Sequence, residues 1–176
     1  AYVWESVSSE ARARRFSASS GSVDNAYGFK VVFDSTDIDV PSNIIEDVAI
    51  ESNHDSLDNR VYMAAIETDG SLRYGASFTS ASSQFTEVPS SEIDNAVGNL
   101  DMHWDTQPGN TYMHICYTAT DDTIRYIGKL NNAWTGSQLI DNYVGDSVRI
   151  ASYSDTVIIA YRNAPTPGAA EYRIYY

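Results

Sequence analysis

Apolar residues occur along this chain in short runs that end at polar turn signals, a pattern that predicts β-strands. The clearest runs are residues 60–66, 112–118 and 156–161. The first is followed by Thr-Asp-Gly at 68–70, which suits a tight turn with a positive φ. The third is followed by a Pro-rich stretch at 164–168. We therefore predict an all-β protein.

The runs belong to an internal repeat. Two separate landmarks recur with equal offsets, 52 positions from the first copy to the second and 48 from the second to the third. Since unrelated landmarks rarely keep equal offsets by chance, three copies of one unit follow one another along the chain. The landmarks are the first residue of one strand (Val48, Leu100 and Val148) and the arginine of another (Arg73, Arg125 and Arg173).

The N-terminal part is a weaker fourth copy. A shift of 58 positions lays Val3-Trp4 on Val61-Tyr62, and the same shift lays residues 15–19 on residues 73–77. This predicts one strand at 15–19 and the next at 28–33. Residues 9–15 could instead open a helix with a serine as its N-cap. The shared offset of 58 positions favours the strand over the helix.

Each copy contains four short strands, which we name a, b, c and d. Four-stranded antiparallel units that repeat every 40–50 residues predict a β-propeller. Strand b of the last copy is apolar on both faces, as in a blade sandwiched between two others. We predict about 3.5 to 4 β-propeller blades in this chain. Their spans are 1–46, 47–98, 99–146 and 147–176, and the first and last are incomplete.

The strand count predicts an incomplete ring. The chain begins in strand b of its first blade and ends in strand c of its last, so 14 of 16 strands are present. Exposed sheet edges invite pairing with other strands. Two explanations remain open. The chain is part of a longer propeller, or its edges are completed by neighbours in a homo-oligomer or filament.

Composition excludes several classes of partner. The 176 residues carry 24 acidic and 11 basic side chains, a net charge of −13, so the surface is a poor phosphate binder and nucleic acid is excluded. No run of 18 apolar residues occurs, so we predict no membrane insertion. The single cysteine, Cys116, excludes an internal disulfide framework and is interpreted as a small buried hydrophobe. We expect a secreted, extracellular protein whose acidic surface keeps it soluble.

The strongest candidate for ligand binding lies on strand a of the third blade. Asp101, His103 and Asp105 alternate to one face, with Trp104 on the other. Such a stripe could bind a cation or transfer a proton. The competing interpretation is the hydrated lining of a central channel.

A second candidate is an acidic loop. Asp34, Asp37 and Asp39 lie close together before Pro41, and their oxygens could hold calcium, although no EF-hand spacing is present. The competing interpretation is a solvated acidic loop. Otherwise we predict no cofactor. The repeated arginines at one blade position indicate a structural role.

The repeat resembles that of secreted bacterial and archaeal β-propellers, through residues 48–52, 111–117, Asp69-Gly70 and 72–75. It also resembles sialidase-like propellers, but the stretch 77–85 lacks the Asp and Gly of their Asp box. Fungal fucose-lectin propellers are similar too, and their sugar sites use an Arg on strand b and a Glu on strand c. Here Arg60 fits the first position, whereas strand c carries Arg73 and no Glu. These resemblances imply the fold, but the sugar-binding or catalytic residues of these families cannot be assigned to positions of this chain.

Three functions follow as hypotheses. The first is an extracellular binding or assembly module whose partner is a glycan or a protein. The second is a sialidase-like glycoside hydrolase, although no nucleophile, phosphate or dinucleotide motif supports an enzyme. The third is a structural subunit of an extracellular filament or virion.

Overall fold

The protein is all-β, as predicted. The structure, a computed structural model, describes residues 2–5, 10–13, 30–33, 45–52, 61–76, 84–87, 93, 95–107, 110–131, 133–142, 145–153, 156–166 and 169–175. Within those ranges no helix is long and apolar enough to cross a membrane. The strands are β1 (Tyr2–Glu5), β2 (Glu10–Ala13), β3 (Lys30–Phe33), β4 (Ile45–Ser52), β5 (Val61–Glu67), β6 (Leu72–Ala76), β7 (Gln84–Glu87), β8 (Ala96–Gln107), β9 (Asn110–Ala119), β10 (Ile124–Leu130), β11 (Ala133–Trp134), β12 (Gln138–Asp141), β13 (Gly145–Tyr153), β14 (Thr156–Thr166) and β15 (Ala169–Tyr175).

These strands form four sheets in which neighbours along the chain are neighbours in space. Sheet 1 has the order β1-β2-β3, sheet 2 the order β4-β5-β6-β7, and sheet 4 the order β13-β14-β15. Sheet 3 runs β8-β9-β10, and both β11 and β12 pair with β10. Each pair whose register is described is antiparallel, so every sheet is an up-and-down meander.

Sheet 1 lies in a compact unit of its own, Ala1–Ile45, and the other sheets belong to a second unit, Glu46–Tyr176. The helix considered for residues 9–15 is wrong, because β2 covers Glu10–Ala13 and pairs with β1 on one side and β3 on the other. Ladders on both sides satisfy its backbone groups, so no helix is needed. The predicted position 15–19 lies outside the described residues.

The turns between strands b and c repeat in sheets 2 and 3. In sheet 2 the Gly70 N–H donates to the Glu67 carbonyl (2.9 Å), and Gly70 has a φ of 87°. In sheet 3 the Asp122 N–H donates to the Ala119 carbonyl (2.9 Å), and Asp122 has a φ of 62°. Aspartate tolerates this left-handed conformation better than most residues do. The two turns therefore keep one geometry although only the first has a glycine.

Sheet 3 is packed on both faces, whereas strand b of the last copy, for which this arrangement was predicted, has Ile158 exposed. One face packs on sheet 2 in a core that includes Ile66 and Leu72 of sheet 2 and Ile115 of sheet 3. The other face packs on sheet 4 in a core that includes Cys116 and Ile159. Burial raises the pKa of the Cys116 thiol well above its usual range, which confirms its interpretation as a small hydrophobe.

Candidate functional site

The predicted ligand-binding residues of β8 lie on two different faces of sheet 3. Asp101 lies opposite Cys116 in the ladder, and Cys116 belongs to the core shared with sheet 4. Since directly opposite residues share a face, Asp101 faces sheet 4, and His103 and Asp105 follow it at alternate positions. Trp104 faces sheet 2 and stacks on Tyr62 with 3.9 Å between ring centroids. The four residues therefore do not form one pocket.

Asp101 is engaged in connecting two sheets. Its Oδ2 accepts a hydrogen bond from the Ile150 N–H of β13 (2.9 Å). Burial raises the pKa of Asp101, and this bond and the charge of Arg149 act against that rise. Asp47, which aligns with Asn99 at the repeat offset of 52, also connects two sheets, because its Oδ2 accepts from the Leu100 N–H of β8 (2.8 Å). A carboxylate that bonds to the backbone of the next sheet in this way has a structural role.

His103 and Asp105 border a partly buried polar region. His103 Nδ1 lies 3.9 Å from Glu51 Oε1 on β4. His114, opposite His103 in the ladder, is 7% exposed, and its Nδ1 is 2.9 Å from the Tyr126 hydroxyl. Burial lowers the pKa of His114 to about 4, although the charge of Asp105 acts in the opposite direction. Near neutral pH His114 is therefore uncharged and serves as a packing and hydrogen-bonding residue.

The structure gives no support for a metal site in the part of the chain that it describes. Within that part, no three His, Cys, Asp or Glu side chains come together in a way that could hold a metal ion. The predicted calcium ligands Asp34, Asp37 and Asp39 lie outside the described residues, so that prediction stays untested.

The repeated arginines have the structural role that the repeat predicts. Arg73 Nε donates to Glu67 Oε1 (2.5 Å), and the two side chains are 7% and 1% exposed. Arg125, at the equivalent position, donates to Asp121 Oδ2 (3.1 Å) and to the Thr123 hydroxyl (2.9 Å). Arg173 lies in β15. The described arginines hold their own turns and do not converge on a common ligand.

A different group of residues forms the best candidate site. Tyr74 of β6, Lys129 of β10 and Trp134 of β11 meet at the junction of sheets 2 and 3, and we call them the aromatic–lysine cluster. The Lys129 Nζ lies 3.9 Å from the centroid of the Tyr74 ring and 5.2 Å from that of Trp134. It also donates to the Tyr74 hydroxyl. The two rings meet edge to face, 5.0 Å apart at an interplanar angle of 85°.

Local pairing fixes the geometry of the cluster. Lys129 lies opposite Trp134 in the β10–β11 ladder, and the Thr135 N–H donates to the Gly128 carbonyl (2.9 Å). The Thr135 hydroxyl in turn accepts from the Gly128 N–H (3.0 Å). All three cluster side chains are partly buried, so each retains some surface that faces water.

The cluster offers apolar surface and a cation together. Burial lowers the pKa of Lys129, since the ammonium loses part of its hydration there. Its described contacts are aromatic faces and a hydroxyl, and the attraction between a cation and a ring offsets part of that loss. Flat rings beside a hydrogen-bond donor are what a ligand with an apolar face and polar edges requires.

Sequence reasoning missed this cluster, although signals for it exist. Lys129 is one of two lysines in the chain and stands between Gly128 and Leu130, at the less polar end of β10. Tyr74 directly follows a repeated arginine, and Trp134 stands in a short polar stretch, so neither position alone indicates a ligand site. Their meeting depends on how sheets 2 and 3 pack, which no spacing along the chain predicts.

Comparison with known proteins shows the fold of this chain and no more. No protein-family model matches it, and no curated protein does either. It is similar to the crystal structure of AofleA from Arthrobotrys oligospora, with a TM-score of 0.61 and 14% identity. It is also similar to a mutant of AofleA in which three evenly spaced arginines are replaced by alanine, with a TM-score of 0.60 and 15% identity. Each likeness covers 95% of this chain and 47% of that chain, so the present chain spans about half their length and shares their fold.

Proposed function

We propose that this chain is a glycan-binding module made of β-propeller blades, that it acts outside the cell, and that the aromatic–lysine cluster is its sugar site. Three four-stranded or nearly four-stranded meanders that follow one repeat support the blade architecture. The sequence resemblance to fungal fucose-lectin propellers, among others, favours a glycan as the ligand.

The observation that carries this proposal is the position of Tyr74, Lys129 and Trp134 at the junction of two sheets. A pyranose ring has an apolar face of C–H groups and an equator of hydroxyls. The exposed part of Trp134 would contact the apolar face, and the Lys129 ammonium would donate to a hydroxyl. Propeller ligands of this kind bind where blades meet, since the junction supplies side chains from both.

A glycan array probed with the labelled 176-residue chain tests the proposal. We expect a defined set of glycans to bind, and titration of one of them to change the emission of Trp134. The chain has two other tryptophans, Trp4 and Trp104, so the titration is carried out in a background in which both are replaced by Phe. The replacement at Trp104 keeps a ring against Tyr62, and the remaining emission comes from Trp134 alone.

Substitution then assigns the site. Trp134→Ala is expected to weaken binding about tenfold or more, since a stacked aromatic contributes about 0.5–1.5 kcal/mol beyond its buried area. Tyr153→Ser is the matched control, because Tyr153 is an aromatic residue of sheet 4 that is 84% exposed. An array without any bound glycan, or equal affinity of Trp134→Ala and Tyr153→Ser, would refute the proposal.

A further inference from the structure

Lys129 is a partly buried cation whose contacts are all uncharged. Its ammonium lies over the rings of Tyr74 and Trp134 and donates to the Tyr74 hydroxyl. Burial lowers its pKa, and within the described part of the chain no carboxylate opposes that shift. Rings and a hydroxyl offset only part of the hydration that a buried ammonium loses. The ammonium therefore retains hydrogen-bonding capacity for an acceptor that carries a negative charge.

The repeated arginines of the same two sheets differ from Lys129 in this respect. Arg73 pairs with Glu67 and Arg125 pairs with Asp121, so each has a carboxylate of its own. Carboxylates are abundant in this chain, which has 24 acidic and 11 basic side chains. The lack of one beside Lys129, in the part of the chain that the structure describes, leaves the place of a counter-ion to the ligand.

The side chains around Lys129 depart from the repeat. Trp104, Met113, Lys129 and Trp134 lie opposite one another across β8, β9, β10 and β11, so all four share the face toward sheet 2. At the offsets of 52 and 48, the position of Trp104 is serine in the preceding and the following copy, and the position of Lys129 is serine in the preceding copy. The repeat itself therefore requires neither the indole nor the ammonium.

We propose that the glycan bound at the aromatic–lysine cluster carries a carboxylate, and that Lys129 selects it. This inference rests on the proposed function and specifies the acceptor of the Lys129 ammonium. A hydrogen bond between an ammonium and a carboxylate is about twice as strong as one between neutral groups. The C–H face of the sugar would lie on the exposed part of Trp134, as for any pyranose. Hexuronic acids and sialic acids share this chemistry, because both are pyranoses with a carboxylate on the ring.

The net charge of −13 is compatible with an anionic ligand of this size. Repulsion from exposed carboxylates farther away than about 8 Å is largely screened at physiological ionic strength, whereas a partly buried contact is screened much less. The contact with Lys129 therefore decides the preference for a single carboxylate. A polyanionic glycan would place further charges beside the acidic surface, so we expect a glycan with one carboxylate to bind best.

Matched pairs of sugars test the inference. Each acid is compared with the sugar in which its carboxylate is reduced to an alcohol: methyl glucuronoside with methyl glucoside, methyl galacturonoside with methyl galactoside, and the methyl glycoside of a sialic acid with its alcohol. Isothermal titration calorimetry with the 176-residue chain in 0.15 M salt measures each affinity. We expect at least one acid to bind about 10- to 100-fold more tightly than its neutral partner, and the pair that shows it identifies the class of acid.

Substitution assigns the preference to Lys129. Lys129→Met removes the charge at similar length and is expected to bring the affinities of acid and neutral sugar within about threefold of each other, whereas Lys129→Arg is expected to retain a preference for the acid. Lys30→Met is the matched control, since it changes the net charge equally and Lys30 lies on β3 of sheet 1. Near-ultraviolet circular dichroism shows whether each variant keeps its fold.

The outcomes separate this inference from the proposed function. Neutral sugars that bind the wild-type chain as tightly as their acids would overturn the inference and leave glycan binding in place, and that comparison depends on no variant. A preference for the acid that is as strong in Lys129→Met as in Lys30→Met would also overturn it. A chain that binds no sugar of either kind would contradict the proposed function together with the inference.

Discussion

The ion pair between Glu67 and Arg73 is buried, whereas the ion pair of Arg125 in the next copy of the repeat is partly exposed. The contributions of the two pairs to stability can therefore be compared within one protein. Glu67 ends β5 and Arg73 lies in β6, directly after the turn that contains Gly70. Replacing Glu67 with Met leaves the Arg73 guanidinium buried without its carboxylate, and replacing Arg73 with Met leaves the carboxylate without its cation. Replacing both with Met removes the charges and keeps comparable volume.

The expected magnitude follows from burial. The two side chains are 1% and 7% exposed, and the Nε–Oε1 distance is 2.5 Å. At an effective dielectric constant of about 20, two unit charges about 4 Å apart attract by about 4 kcal/mol. Removing one partner of such a pair typically costs about 3–5 kcal/mol, because the remaining charge stays desolvated. Replacing both partners is often neutral, so the double variant should recover most of the loss.

Urea unfolding followed by tryptophan fluorescence measures these free energies of unfolding. The matched control is Asp121→Asn, which breaks the equivalent pair of sheet 3 with Arg125. There the Asp121 side chain is 53% exposed, so the change should cost about 1 kcal/mol or less. The assignment of a buried charge pair would be wrong if each single Met variant lost no more free energy of unfolding than Asp121→Asn. It would also be wrong if the double variant lost the sum of the two single losses at Glu67 and Arg73.

Two further predictions concern the packed face of sheet 3. His114, whose pKa burial lowers to about 4, binds a proton less readily in the folded than in the unfolded chain. The contribution of His114 to the free energy of unfolding is therefore complete above about pH 6.5 and falls by up to about 3 kcal/mol as the pH drops from 6.5 to 4. The free energy of unfolding of His114→Phe, measured with urea, should lack this pH dependence. In Gly128→Ala the new Cβ would lie 2.6 Å from the Tyr126 hydroxyl oxygen, which should cost about 1–3 kcal/mol. The same change in a Tyr126→Phe background should cost less, and an equal cost in both backgrounds would exclude the clash as its cause.

Much of the fold was predictable because it depends on local signals. Strand positions follow from runs of apolar residues, and turns follow from residues that tolerate a positive φ, as at Gly70 and Asp122. Equal offsets then identified equivalent strands. In the first copy Glu10–Ala13 forms the middle strand of sheet 1, and the strand predicted at 15–19 lies outside the described residues.

The candidate site was less predictable because it depends on contacts between sheets. Alternation along β8 correctly placed Trp104 on the opposite face from Asp101. It could not show that Asp101 accepts a backbone bond from Ile150, since that bond requires the distance between two sheets. For the same reason the sequence does not predict that Lys129 lies over the Tyr74 ring.

Repetition itself separates structural from functional positions in this chain. The side-chain oxygens of Asp47 and Asn99, which are equivalent in the repeat, both accept from the backbone of the next sheet, and Arg73 and Arg125 both hold their turns. Each of these roles is needed wherever two sheets or two strands meet, so selection for the fold alone would keep them. Lys129 is different, because it is the one described residue that places an ammonium between aromatic rings. A partly buried charge costs stability, and this one has no counterpart in the other copies of the repeat, so the ligand-binding role proposed for Lys129 would give a reason for its presence.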